Sequence, residues 1–163
     1  PQTIQAPSVC NNTVCLVDFM ATMAEILEVD LPNNMGEDSV SQLGLWQGKN
    51  EEIREALIHQ SIDGSLAIRK GKYKLEMCKG SGGWSWPRPE SLEEEGLMDI
   101  QLYDLEEDIK ESQNIGDKHP EVVEELKEML KEQVLRGRST PGVPQVNDGE
   151  GIWHSIRWIQ EGK

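Results

Sequence analysis

Residues 58–77 read IHQSIDGSLAIRKGKYKLEM. Two turn pairs, Asp63-Gly64 and Gly71-Lys72, divide short apolar segments whose hydrophobic residues recur at every second position. That pattern predicts strands at 55–60 (EALIHQ), 65–70 (SLAIRK) and 73–79 (YKLEMCK), and two tight turns in succession make them an antiparallel meander. Alternation places Leu66 and Ile68 on one face, and likewise Tyr73, Leu75 and Met77, leaving Arg69, Lys70, Lys74 and Glu76 mostly in water. A fourth strand is expected at 101–105 (QLYDL). It follows the loop GSGGWSWPRPESLEEEGLMD, too long for a hairpin and too aromatic for a plain linker.

A sheet with one apolar face needs a cover, and the segment PEVVEELKEMLKEQVLRG supplies one. Pro120 suits a first helical position, Gly137 fits just past the end, and Val122, Val123, Leu126, Met129, Leu130 and Val134 form one stripe. Glu121, Glu124 and Glu125 at the start and Arg136 at the end complement the helix dipole. Upstream, CLVDFMATMAEILEVDLP predicts another helix, with Leu16, Met20, Met23, Ala24 and Leu27 at helical spacing, Asp18 serving the free N–H groups at its start, and Met20 and Met23 in the core. Residues 33–50 read as an ordered connection held by Val40, Leu43, Leu45 and Trp46. After Gly137 the breakers Pro141, Gly142 and Pro144 predict an irregular tail clipped down by Ile152, Trp153, Ile156 and Trp158.

The whole composition bounds this picture. The 163 residues amount to one domain by length, but only 36% are hydrophobic and there is a single Phe; roughly 100 residues of packed structure with extended ends are expected. Thirty acidic against sixteen basic residues give a net charge of −14, a field that repels phosphate backbones and anionic lipid surfaces, so neither nucleic acid nor membrane is an expected partner. No apolar run is long enough to span a bilayer, and PQTIQAPSV lacks the basic and apolar segments of a signal peptide. Cys10, Cys15 and Cys78 make an odd count with no C-x-x-C pair. They read as free thiols, with a Cys10–Cys15 bridge as the alternative.

In order, VDFMATMAEIL, EDSVSQL, IHQSIDGSLAIRKGKYKLEM, QLYDLEEDIKESQNI and HPEVVEELKEML resemble the C-terminal subdomain of the type I sulfatases, the formylglycine-dependent arylsulfatase and carbohydrate-sulfatase family. LYDLEED followed by Asn114, together with AIRKGKYKL, is the most specific part; Ile109 stands where the family commonly has Pro. The resemblance covers 14–142, with 1–13 as an extended segment left from a missing N-terminal catalytic domain and 143–163 as an irregular tail. It implies an α+β subdomain of the alkaline-phosphatase-like fold: a small four-stranded antiparallel sheet packed by a C-terminal amphipathic helix, with an N-terminal helix and extended ends. It implies also that the parent is periplasmic or secreted, acts on a sulfated carbohydrate or an aryl sulfate, and uses calcium and formylglycine. The family's nucleophile motif, Cys or Ser, any residue, Pro or Ala, any residue, Arg, is matched by none of CNNTV, CLVDF and CKGSG. Its paired-Asp metal motif is not found either, and EEDIKES lacks the alternating ligands and central glycine of a calcium loop. The chain alone is therefore expected to do no chemistry.

His59, Ser61 and Asp63 at spacings of two do not make a triad, because no nucleophile elbow accompanies them. His59 is either a structural residue at a strand end or, with Ser61, a hydrogen-bonding group for substrate, by analogy with the way this subdomain closes over the sulfatase cleft. Trp84 and Trp86 either stack on sugar rings or pin their loop, and Arg88 is placed to pair with a sulfate or uronate. Substrate-binding candidates are thus His59, Ser61, Trp84 and Arg88, with no catalytic residue and no metal ligand. The rival reading is a stand-alone carbohydrate-binding or protein-interaction module that uses the tryptophan loop.

Overall fold

The computed structural model describes residues 4, 9–87, 99–146, 149 and 153–160. Four strands, β1 (Leu57–Gln60), β2 (Leu66–Lys70), β3 (Tyr73–Glu76) and β4 (Gln101–Asp104), form one sheet in the order β1-β2-β3-β4. The β2–β3 and β3–β4 pairs are antiparallel, with Ile68 opposite Leu75 and Leu75 opposite Leu102. This is the meander and fourth strand that the period-two pattern predicts. The first strand begins at Leu57 rather than 55, and the third ends at Glu76 rather than 79. Helices α1 (Phe19–Ile26), α2 (Leu43–Trp46), α3 (Pro120–Arg136) and α4 (Arg157–Gln160) complete the elements, α4 lying in the segment expected to be irregular.

The chain divides into two compact units. The first comprises residues 1–57 and 133–147, the second 58–132 and 148–163. In the second, Ile68, Leu75 and Leu102 stand abreast on one face and are fully buried. The same face carries Lys70 and Tyr73, and both reach the helix segment: Lys70 Nζ lies 2.8 Å from Glu125 of α3, and the Tyr73 and His119 rings are 6.2 Å apart. The cover is therefore α3, whose Leu126 and Leu130, one turn apart, are 1% and 0% exposed. Asn114 closes the edge of β4 by accepting the Leu102 N–H at 3.0 Å and the Gly116 N–H at 2.9 Å. In the tail, Ile159 is buried and Lys127 lies 5.7 Å from the Trp158 ring centroid; Ile152 falls outside the described residues.

The first unit is built differently, and here the sequence expectation fails. The apolar stripe of α1 is not core: Leu16, Met20 and Leu27 are exposed, while Asp18 and Thr22 on the opposite side are fully buried. The Asp18 carboxylate accepts N–H groups of Cys15 at 2.9 Å and Val40 at 3.1 Å and the Gln42 amide at 3.1 Å, and pairs with Arg54. The Thr22 hydroxyl donates to the Asp18 carbonyl at 2.6 Å and accepts the Gln42 N–H at 3.0 Å. Asp18 does serve the N-terminal N–H groups, as expected, but it also anchors a buried polar cluster that gives its carboxylate several donors, although the buried Arg54 Nε has no hydrogen-bond partner among the described residues. A second tie holds the stretch after α3, where buried Arg138 donates to the carbonyls of Asn33, Thr140 and Val143 at 3.0–3.1 Å.

Replacing Leu126 by Ala removes buried methyl groups beneath the sheet and is expected to cost about 2–5 kcal/mol. Urea denaturation followed by circular dichroism measures it; an unchanged midpoint means that α3 does not cover the apolar row.

Candidate functional site

Burying Ile68, Leu75 and Leu102 on one face forces Arg69, Lys74, Glu76, Gln101 and Tyr103 onto the other, because side chains alternate along each strand. That second face is the floor of an open basin of about 500 Å³, bounded by His59, Lys110, Glu111 and the turn that runs through Ser81 and Trp86. Lys74 and Glu76, expected mostly in water, have side chains only 15% exposed. They are partly enclosed because Lys74 Nζ sits 2.6 Å from both Glu76 and Glu111, a clamp that offsets part of the negative charge on the floor.

The electrostatics follow from this enclosure. Burial pushes the Glu76 carboxyl above its ordinary value, with Lys74 pulling the other way. Burial would lower the Lys74 ammonium, but its hydrogen bonds to Glu111 and Glu76 carry it above its ordinary value. Burial and the neighbouring carboxylates raise Tyr103 to about 12, so it stays a phenol and donates to Gln101 Oε1 at 2.7 Å. Gln101 in turn donates Nε2 to the carbonyls of Cys78 at 2.9 Å and Gly80 at 2.7 Å. A side chain in the middle of the site thus fastens the aromatic turn to the sheet.

The turn has a second fastening. Ser61 Oγ donates to the Gly82 carbonyl at 2.5 Å, and a Cβ on Gly82 would meet Ser61 and Cys78 at 3.1–3.2 Å with φ at +60°, so glycine is required there. Asp63 accepts the Ser65 N–H at 2.9 Å. Its carboxylate and the Ser61 hydroxyl thus each serve the turns. Burial raises the Cys78 thiol to about 11.

Of the four candidates from sequence, His59 and Ser61 line the basin, and Ser61's proton is engaged by Gly82. Trp84 is 81% exposed and stands outside the lining, whereas Trp86, 70% exposed, is part of it. Arg88 lies outside the described residues. Sequence reasoning missed Lys74, Glu76, Gln101, Tyr103 and Glu111. The signal was present in the polar positions of 74–76 and 101–103, which share one face once the strands are paired. Among the described residues no three His, Cys, Asp or Glu side chains gather as a metal site.

No family model matches the chain. It is 34% identical over 116 residues to an N-acetylgalactosamine-6-O-sulfatase of Bacteroides thetaiotaomicron. The chain is homologous to the C-terminal part of a sulfatase. The match takes in 71% of the chain and only 22% of that sulfatase. A solved structure described with the metabolism of multiple glycosaminoglycans by Bacteroides thetaiotaomicron superposes with a TM-score of 0.56 at 31% identity, over 71% of this chain and 24% of the other. A second, solved in complex with its substrate D-glucosamine-2-N,6-O-disulfate, gives 0.59 at 20% identity over 82% and 26%, a likeness of fold. The four-stranded sheet with its helix thus has the fold of one part of these sulfatases.

Burial, then Lys74 and Arg69 against the opposing Glu111, hold the His59 imidazole below its ordinary value of 6.5. A depressed folded-state pKa means that the unfolded chain binds the proton more readily, so this group's share of stability is present above pH 6.5 and is lost as pH falls through the folded value. The His59 ring proton signal is expected to titrate below 6.5, and Lys74→Met to move that midpoint upward. A midpoint at or above 6.5 in the unaltered chain sinks the account of this corner of the basin.

Proposed function

We propose that this chain is the substrate-facing C-terminal portion of a sulfatase acting on a sulfated carbohydrate, and that it hydrolyses no sulfate ester by itself. The observation that carries the reading is the basin on the polar face of the sheet, in a chain homologous to carbohydrate sulfatases. Its volume of about 500 Å³ lies within the range of small-molecule sites. Two ammonium groups, Lys74 and Lys110, face two carboxylates, Glu76 and Glu111, beside an imidazole held neutral near pH 7, in a chain whose net charge is −14. Such a lining has little pull on a sulfate dianion or monoanion. It suits the uncharged side of a sugar: carboxylates accept from hydroxyls, His59 offers a donor and an acceptor, and the Trp86 indole presents an apolar face to ring C–H groups.

The sulfate end of the substrate is then left to the portion of the sulfatase that lies outside the match, together with the nucleophile and metal ion that the family resemblance implies. In this arrangement the present residues bind and orient the sugar, excluding water from one side of it, and positioning of that kind contributes to rate by fixing the reacting group. His59 and Trp86 are the residues assigned to sugar contact; Ser61, Gln101 and Tyr103 hold the turn on which Trp86 sits.

Purified chain incubated with an aryl sulfate or with N-acetylgalactosamine 6-sulfate is expected to release no sulfate above the uncatalysed background, read by ion chromatography. Turnover that disappears when a basin residue is changed overturns the reading.

Ligand-observed NMR with the sulfated sugar and its desulfated counterpart is expected to show similar binding of both. Trp86→Ala should weaken binding roughly fivefold, about 1 kcal/mol. Strong preference for the sulfated form, or indifference to Trp86→Ala, removes the assignment of the basin to the sugar's uncharged side.

A further inference from the structure

A second cavity lies on the α3 side of the sheet, away from the floor of the basin. Just beyond the strand ends, Met77 and Ile100 continue the alternation that puts Leu75 and Leu102 on that side. With Lys127 of α3 and Trp158 of α4 they bound a space of about 500 Å³, and every residue that lines it belongs to the second unit. Ser65 and Cys78 line both cavities, so the two adjoin where β2 begins and β3 ends. The segment 154–158 that closes the second one is tied down by the buried Ile159 and by Lys127 over the Trp158 ring. The cavities differ in how firmly their lysines are held. In the basin, Lys74 Nζ is clamped 2.6 Å from two carboxylates. In the second cavity, Lys79 Nζ meets Asp99 at 3.2 Å and Lys127 Nζ meets Glu124 at 3.8 Å, and those acidic side chains are 84% and 67% exposed. Exposed pairs of this kind contribute little, so the anionic group of a ligand can take over either lysine at small cost.

We infer that this cavity is a second sugar site, separate from the basin, and that it takes an acidic sugar unit, one that bears a sulfate or a carboxylate. The inference rests on the reading of the ligand as a carbohydrate and goes beyond it, because the basin suits the uncharged side of a sugar. Lys79 and Lys127 offer two ammonium groups to the anionic substituent. A lysine acts as a point charge without the planar fork of arginine, so a sulfate and a carboxylate are both suited to it. His154 and the Ser155 hydroxyl add hydrogen-bonding atoms for sugar hydroxyls, and Met77, Ile100 and the Trp158 indole give ring C–H groups an apolar wall. Asp63 also lines the space, with its carboxylate already accepting the Ser65 N–H at 2.9 Å. The volume falls within the range of small-molecule sites. Adjoining cavities of unlike charge preference suit a polymer of acidic and neutral units: once one unit is held, binding of the next is intramolecular.

The test is nitrogen–proton correlation NMR of the chain, in which the indole N–H signals of Trp158 and Trp86, each assigned by its Trp→Phe variant, report on the two cavities separately. The probes are methyl glucuronide, N-acetylgalactosamine 6-sulfate, N-acetylgalactosamine and inorganic sulfate. An acidic sugar is expected to shift the Trp158 signal, the stronger of the two identifying the preferred anionic group, and the neutral sugar to leave it in place. Inorganic sulfate is expected to act only at roughly tenfold higher concentration, having no ring to set against the apolar wall. Lys79→Gln combined with Lys127→Gln should weaken the response about fivefold with the thermal midpoint unchanged, while Trp86→Ala leaves it as it was. Acidic sugars that leave Trp158 unmoved overturn the inference, as does a neutral sugar or inorganic sulfate that acts as strongly as they do. Where the lysine variants lower the midpoint, the unaltered chain decides: a shift abolished in about 0.5 M sodium chloride upholds the inference and one indifferent to salt overturns it. A Trp158 response while no sugar moves Trp86 overturns only the sugar reading of the basin, and the reverse pattern overturns only the second site.

Discussion

Three side chains abreast, Ile68, Leu75 and Leu102, constrain everything else in their unit. With a period of two, one buried row dictates the opposite face of every strand it crosses, and a slip of one residue would exchange the faces. The registers Ile68↔Leu75 and Leu75↔Leu102 therefore do two jobs at once. They give α3 an apolar surface to cover, and they line up Lys74, Glu76, Gln101 and Tyr103 where a basin can form. Fold and site are two sides of one alternation, so the polar face was settled as soon as the core was.

The two units solve the same problem, an ordered interior, with different chemistry. Beneath α3 the interior is aliphatic and its contribution follows from area removed from water. Around α1 the fully buried side chains are a carboxylate and a hydroxyl, and order comes from directional bonds that leave few alternatives to Asp18, Gln42 and Arg54. A polar interior of this kind contributes less net stability than a well-packed apolar one, but it discriminates sharply between orientations of a helix.

This contrast explains what could be read from the sequence. The meander was legible because turn pairs and alternation are local signals, and α3 because its stripe, its proline and its following glycine agree. For α1 the stripe was equally clear and its burial was wrong, since periodicity reports which side is apolar and says nothing about what lies against it. Residues 74 and 76 were misjudged for a related reason: lysine and glutamate are usually solvated, and only the pairing of β3 with β4 and the approach of Glu111 enclose them. His59 and Ser61 were legible as residues at a strand end beside a turn. Trp84 and Trp86 could not be separated by sequence, because their exposures to the basin differ through the path of the turn, which is set by Gln101 and Ser61 from elsewhere in the chain.

The seat of Gly82 against Cys78 has a chemical consequence. A thiol whose pKa stands near 11 is ionised at neutral pH to only about one part in ten thousand, and the thiolate is the species that attacks disulfides and oxidants. Cys78 is thereby a silent cysteine: packed beside a glycine, protonated, and removed from thiol exchange. Cys10, which is exposed, and Cys15, which is partly so, both lie on the amino-terminal side of α1 and remote in sequence from the turn that carries Trp86. Labelling reagents that select for thiolates should for that reason spare Cys78 and with it the basin.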